Sequence, residues 1–155
     1  MSAPLARRAT AADVAELVRL RGVMFASMGE SHDGLWVHEC HRFFVEHLGG
    51  GRLAASVVEA PDGAGLAACA VGMVDLRLPS PTRRGPVGHI SSVATDERWR
   101  RRGFARAAVS DLLGWFVEQG AGRVQLSASR DGEGLYRSLG FAERRQPTLS
   151  WQPEG

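Results

Sequence analysis

The stretch Arg100-Arg101-Arg102-Gly103-Phe104-Ala105 limits what this chain can become more than any other segment. A strand-like run, Gly88 to Thr95, comes before it. A helical stripe of Ala105, Ala108, Val109, Leu112, Leu113 and Phe116 follows. A strand that feeds a helix through a short turn belongs to an α/β arrangement, in which the helix packs back across its sheet. The turn is also a natural anion site. The first N–H groups of a helix lack intrahelical partners, and the helix dipole turns its positive end toward them. Arg100, Arg101, Arg102 and Arg106 add formal charge, and Gly103 removes a Cβ from the approach. A polyanion, most simply a pyrophosphate, is expected to dock here.

The remaining punctuation supplies the other elements. Residues 3–8 read as a short first strand. Thr10 with Asp13 three residues later predicts a helix start, and Val14, Leu17, Val18, Met24 and Phe25 carry that helix to about residue 26. Trp36, Val37, Cys40, Phe43, Phe44 and Leu48 mark a second helix, stopped by Gly49-Gly50-Gly51. Residues 52–59 and 66–76, on either side of Pro61-Asp62-Gly63, predict an antiparallel hairpin. Val124 to Ala128 predicts a strand, and residues 132–139 a short helix closed by Gly140 at C′. A final strand is expected to include Leu149 and Trp151. No repeat or linker interrupts this order. The expectation is one α/β (α+β) domain over residues 1–155, with a mixed, mostly antiparallel sheet flanked by helices.

A chain of 155 residues can bury roughly 68–70% of its unfolded surface without covalent staples. Its two cysteines, Cys40 and Cys69, fall inside regular elements and cannot form a disulfide framework, so a reduced, cytoplasmic setting is expected. No apolar h-region follows Arg7 and Arg8, and no apolar run approaches the ~18 residues of a membrane span. Net charge is only +2, too little to argue for nucleic acid. All 19 basic residues are arginine, a compositional bias that makes position matter more than number.

Two segments together carry a family resemblance. Arg100-x-x-Gly103-x-Ala105 resembles the Q/R-x-x-G-x-G/A acyl-CoA signature of the GNAT superfamily of N-acetyltransferases. Leu126 to Phe141, containing Leu135-Tyr136-Arg-Ser-Leu-Gly-Phe141, is similar to that family's closing L-Y-x-x-L-G-F segment at a fitting interval. Residues 88–141 match well, and residues 1–87 match in element order alone. The resemblance implies a GNAT-like fold and transfer of acetyl from acetyl-CoA directly to an amine, with no metal. The backbones of Val93 and Thr95 would hold the pantetheine arm. The N–H groups of Arg101, Arg102, Gly103, Phe104, Ala105 and Arg106 would hold the pyrophosphate, with Arg100 opening the signature. Tyr136, the single tyrosine, would stand near the thioester sulfur. Ser129 stands where many members carry an asparagine near the cosubstrate. The resemblance also makes a homodimer an expectation, because dimers are common in the family.

The chemistry explains these residue types. An ammonium with a pKa near ~10 cannot attack a thioester until it loses a proton. A proton acceptor, a donor to the carbonyl oxygen and an acid for the departing thiolate are therefore needed. Tyr136 suits the acid, and the Val93 N–H suits the carbonyl donor. Strand alternation places His89, Ser91, Val93 and Thr95 on one face. His89 occupies the position of a base carboxylate in some family members, and an imidazole ordinarily titrates near ~6.5. A structural strand histidine is the equal alternative. Glu30, His32 and Asp33, in the loop between the first two helices, are further acceptor-side candidates, as is Ser91. Two departures from the family pattern stand out. Glu97 replaces a frequent proline. Arg101 replaces a frequent glycine and is therefore expected to keep a negative φ.

Other signals are set aside. His38-Glu39-Cys40-His41 spaces its histidines i,i+3, where the zinc-protease helix needs i,i+4. Neither cysteine sits in a nucleophile context. Asp96 and Glu97 interrupt the basic patch and no aromatic platform accompanies it, so nucleic acid is not an expected partner. The acceptor is expected to be a small-molecule amine. The rival is a non-catalytic acyl-CoA-binding or sensor domain that keeps the loop and lacks acceptor chemistry.

Overall fold

A computed structural model describes residues 4–154 of the chain. Its sheet is built on the two long apolar strands that the sequence marks, β2 (Leu53–Glu59) and β3 (Leu66–Asp75), joined as an antiparallel hairpin. β1 (Ala6–Arg8) pairs antiparallel with β2, and β4 (Val87–Thr95) pairs antiparallel with β3. β5 (Arg123–Gln125) adds in parallel to β4, completing the order β1-β2-β3-β4-β5. The expected first strand over 3–8 thus forms at Ala6–Arg8, and residue 3 lies outside the described residues.

Helices cover both faces. α1 (Val14–Ser27) follows a 3₁₀ turn at Ala11–Asp13, where the Asp13 carboxylate accepts the Thr10 N–H at 2.8 Å. With α2 (Leu35–His47) it buries Leu17, Leu20 and Phe44 against Val57, Cys69 and Val71. α3 (Phe104–Glu118) closes the other face with Val109, Leu112 and Phe116 against Ala68, Ala70 and Ile90. Phe116 reaches the sheet because Gly72 and Gly88 lie beneath it: a Cβ on either would stand 2.4 Å from its ring. α3 is pinned to the sheet at one corner. Asp111 on α3 accepts the fully buried Ser56 hydroxyl at 2.6 Å and Arg8 at 2.9 Å.

Two expectations give way. β5 stops at Gln125 instead of continuing to Ala128, because Leu126 to Ser129 part from β4 and lead into α4 (Arg130–Ser138). No strand forms around Leu149 and Trp151. Neither residue finds a ladder or an apolar seat, and they stand 88% and 85% exposed. Their apolar character alone cannot make a strand when the backbone has no partner.

Candidate active site

The site begins where β4 and β5 separate. Their parallel pairing ends at His89↔Gln125, while β4 continues alongside β3 to Thr95. The Asp96 N–H bonds Ala67 O at 2.8 Å, so the backbone groups of Ala94 point to β3 and those of Val93 and Thr95 point away from it. Thr95 O receives Arg100 Nε at 3.4 Å on that outer side. Val93 and Thr95 therefore offer backbone donors and acceptors along an edge that β5 has left open.

A β-bulge alters which side chains face where. Val71 pairs with Ser92 and Gly72 with Ile90, which leaves Ser91 as the extra residue of β4. His89 sits opposite Met73 and faces α1 and α2, whereas Val93 packs toward α3. The four side chains expected on one face are thus divided. His89 and Ser91 turn to one side of the sheet, Val93 and Thr95 to the other, because one extra residue reverses the alternation.

The basic loop follows a 3₁₀ turn at Glu97–Trp99, capped by Asp96 in place of the missing proline. Arg101 has φ 63 and Gly103 φ 81, so the expectation that Arg101 keeps a negative φ is overturned. Reversing the chain between strand and helix takes two left-handed residues, and only one of them is glycine. A Cβ at Gly103 would meet nothing within 4 Å, so its backbone angle, not crowding, calls for glycine. The first helical bond of α3 is Ala107 N–H to Gly103 O at 3.1 Å, and the N-cap supplies no side-chain acceptor. Among the described residues, the N–H groups from Arg101 to Arg106 have no acceptor. Arg98 and Arg102 flank the Trp99 ring, each 5.1 Å from its centroid.

α4 brings Tyr136 to this place. Ser129 is its N-cap, its Oγ accepting the Gly132 N–H at 3.3 Å, which occupies the hydroxyl expected near the cosubstrate. At the other end Gly140 takes φ 98. Its N–H bonds Arg137 O, and the Phe141 N–H bonds Tyr136 O, both at 3.0 Å. This is a Schellman closure, and its usual apolar contact is the Tyr136–Phe141 ring pair at 5.9 Å. The L-Y-x-x-L-G-F pattern is thereby a device for fixing one tyrosine. Tyr136 packs in the same core as Val93 and Phe104, and Arg106 on α3 donates to Ser138 on α4. Burial pushes the Tyr136 phenol above its ordinary range, keeping it protonated at neutral pH.

On the α1 and α2 side lies a cavity of about 550 Å3 with Ser91 and Ser92 on its wall. Its lining is mostly aromatic and aliphatic, with Phe25, Trp36, Phe43 and Met73 among the contributors. The Phe25 and Trp36 rings meet edge to face at 5.2 Å. Arg21 lies 4.9 Å over Phe25 and donates to Ser91 O at 3.3 Å. Ser91 Oγ is buried with no hydrogen-bond partner. Of the loop candidates, Glu30 lines this cavity. His32 lies in a separate groove beside Gly22 and Val37, and Asp33 is held by the Ser31 hydroxyl at 2.9 Å. Sequence reasoning missed Arg21, Trp36, Glu39 and Phe43 as cavity residues. The i, i+3, i+7 spacing of Trp36, Glu39 and Phe43 on one helix face was the available signal. Cys40 and Cys69 are both unpaired; burial raises the Cys40 thiol and pushes Cys69 up to about 12, so neither is a ready nucleophile.

Comparison with known proteins agrees with this architecture. A predicted acetyltransferase with acetyl-CoA from Clostridium acetobutylicum superposes with a TM-score of 0.82 at 23% identity, over 95% of this chain and 94% of that one. A GCN5-related N-acetyltransferase from Ralstonia eutropha JMP134 gives 0.76 at 23% identity, over 94% and 97%. Glucosamine-6-phosphate N-acetyltransferase from Arabidopsis thaliana gives 0.75 at 20% identity, over 97% and 99%. No curated protein matches the sequence. The sequence profile of the acetyltransferase (GNAT) family matches residues 29–141, which span the cavity helix, the open edge of β4, the basic loop and Tyr136, and the chain belongs to that family.

Proposed function

We propose that residues 1–155 form one acetyltransferase domain that moves acetyl from acetyl-CoA directly to the amine of a small acceptor. The reading is carried by the unpaired N–H groups from Arg101 to Arg106, beside the open edge of β4. Six donors in series at a helix N-terminus suit a pyrophosphate. The backbones of Val93 and Thr95 suit the amides of the pantetheine arm, and Arg100 and Arg106 add positive charge. Acetyl-CoA supplies the activated acyl group.

The chain's own groups handle protons and charge. The acceptor loses its ammonium proton to solvent, and the neutral nitrogen bonds the carbonyl carbon while the Val93 N–H stabilises charge on the carbonyl oxygen. The surplus N–H proton of the adduct passes to His89 on the cavity side of β4. The carbon–sulfur bond breaks, and Tyr136 gives its proton to the thiolate. The balance is amine plus thioester to amide plus thiol. Direct transfer is favoured over a cysteinyl intermediate because burial raises both thiols. The two free cysteines also suit a reducing, cytoplasmic setting. Among the described residues no helix is long and apolar enough to cross a membrane.

Calorimetry with acetyl-CoA tests the reading. Binding with micromolar affinity is expected, and no heat at hundreds of micromolar would end it. Acetyl-CoA binding without thiol release from any amine would move the protein to the acyl-CoA-binding class.

A further inference from the structure

On the side of β4 that Ser91 and His89 face, the chain has built a cavity with a specific chemistry. Its walls are set by side chains of two helices and three strands. Phe25 on α1 and Trp36 and Phe43 on α2 present rings, and Val71 and Met73 on β3 form an aliphatic floor. A volume of about 550 Å3 lies within the usual range for small-molecule sites. Three ionised groups reach it. Glu30 and Glu39 are exposed and stand at its mouth, and Arg21 is held inside by Ser91 O and the Phe25 ring. Arg21 pairs with no carboxylate among the described residues. The three charges leave one net negative, enough for a single ammonium. The orphaned Ser91 Oγ on the wall lacks a partner that an amine N–H would supply.

We propose that the acceptor is a monoamine with an aromatic or bulky apolar body, of the arylalkylamine type, and not a polycation. The inference rests on the acetyltransferase reading above and narrows its substrate. The rings hold the body of the acceptor by apolar burial and edge contacts. Glu30 and Glu39 attract the ammonium toward the mouth, and Ser91 receives the amine at the wall nearest β4. Polyamines and aminoglycosides carry several ammonium groups, each needing a carboxylate or water. This cavity has two carboxylates, and its guanidinium lies beside Ser91, so the reacting amine reaches Ser91 as the neutral base and the further ammonium groups of a polycation are left without partners. The transfer is unchanged: the N–C bond forms, the C–S bond breaks, and coenzyme A leaves as the thiol.

The test uses the whole protein with acetyl-CoA in a thiol-release assay over 2-phenylethylamine, hexylamine, spermidine and an aminoglycoside. The two apolar monoamines are expected to exceed the polycations in kcat/KM by about 10-fold or more. Phe43 is 44% exposed, so Phe43→Ala is expected to fold, and its KM for 2-phenylethylamine rises about 10-fold with kcat little changed. Equal or better turnover of spermidine or the aminoglycoside overturns the proposal. Acetyl-CoA binding in the calorimeter with no turnover of either apolar monoamine overturns it as well. Absence of acetyl-CoA binding removes the acetyltransferase reading first, and the substrate class falls with it.

Discussion

Arg101 and Tyr136 show how two single residues in one site answer to different constraints. Arg101 takes φ 63, a left-handed angle that costs a residue with a Cβ about 1–2 kcal/mol. The position presents an N–H without an acceptor and carries a charge, and strain is tolerated at such places when the surroundings hold it. Arg101→Gly should therefore stabilise the fold by about 1 kcal/mol, less what glycine adds to the unfolded ensemble. Thermal unfolding would show this as a Tm higher by about 2–4 °C, with acetyl-CoA affinity lowered by the lost charge. An unchanged Tm would mean the loop carries no strain at that residue. Tyr136→Phe keeps the ring pair with Phe141 and loses only the hydroxyl. Its Tm and acetyl-CoA affinity should hold while kcat falls about 10²-fold. Unaltered turnover would reduce Tyr136 to a packing residue. In the native protein the raised phenol pKa places loss of the acid above pH ~10. By the same sign, the proton is held more tightly when folded, so this group's contribution to stability falls as pH rises through the ordinary phenol range.

Elements that close on their own sequence were legible, and elements that depend on a neighbour were less so. α4 could be read to its cap because Gly140 and the apolar Phe141 after it signal a Schellman end, and those bonds are present. β4 could be read as a strand, but its bulge could not. The extra residue Ser91 exists only by reference to the register of β3, and nothing in its own composition marks it. The error was a whole face: His89 and Val93 were expected together and lie on opposite sides of the sheet. The strand expected at Leu149 and Trp151 failed for the related reason that an apolar pair does not create a partner. The junction of β1, β2 and α3 at Asp111 was equally hidden, since it joins residues 103 and 55 positions apart. It is also testable. Asp111→Ala leaves the fully buried Ser56 hydroxyl without its acceptor, at a cost of about 2 kcal/mol in chemical denaturation. Adding Ser56→Ala should recover part of that loss, because an orphaned hydroxyl is worse than none. A double variant no more stable than the single one would assign the loss to Arg8 instead.

At the scale of the molecule, the two faces of the sheet differ in what their sequences disclosed. The α3 side carries the loop, the open edge of β4 and Tyr136 within one stretch of chain, so the family resemblance of two motifs at a fitting interval linked them. The α1 and α2 side is assembled from α1, α2, β2, β3 and β4, and its cavity emerges only when helices distant in sequence are packed together. The residues of the proposed acetyl-CoA site could therefore be named together from the sequence, and most of those lining the proposed acceptor cavity could not. This division has a consequence for stability. β4, the N-terminus of α3 and α4 meet at the proposed acetyl-CoA site, yet the direct polar link between the two helices there is an exposed Arg106–Ser138 contact. A ligand spanning the three elements adds bonds that the unfolded chain cannot make, so it stabilises by mass action. At 100 times its dissociation constant acetyl-CoA should contribute about 2.7 kcal/mol. For a chain of this size that raises Tm by about 5–10 °C. Free adenine, lacking the pyrophosphate, should produce almost none of the shift, because the N–H groups from Arg101 to Arg106 would stay unpaired. A shift of similar size with adenine alone, or none with millimolar acetyl-CoA, would mean that those donors do not form the anion site.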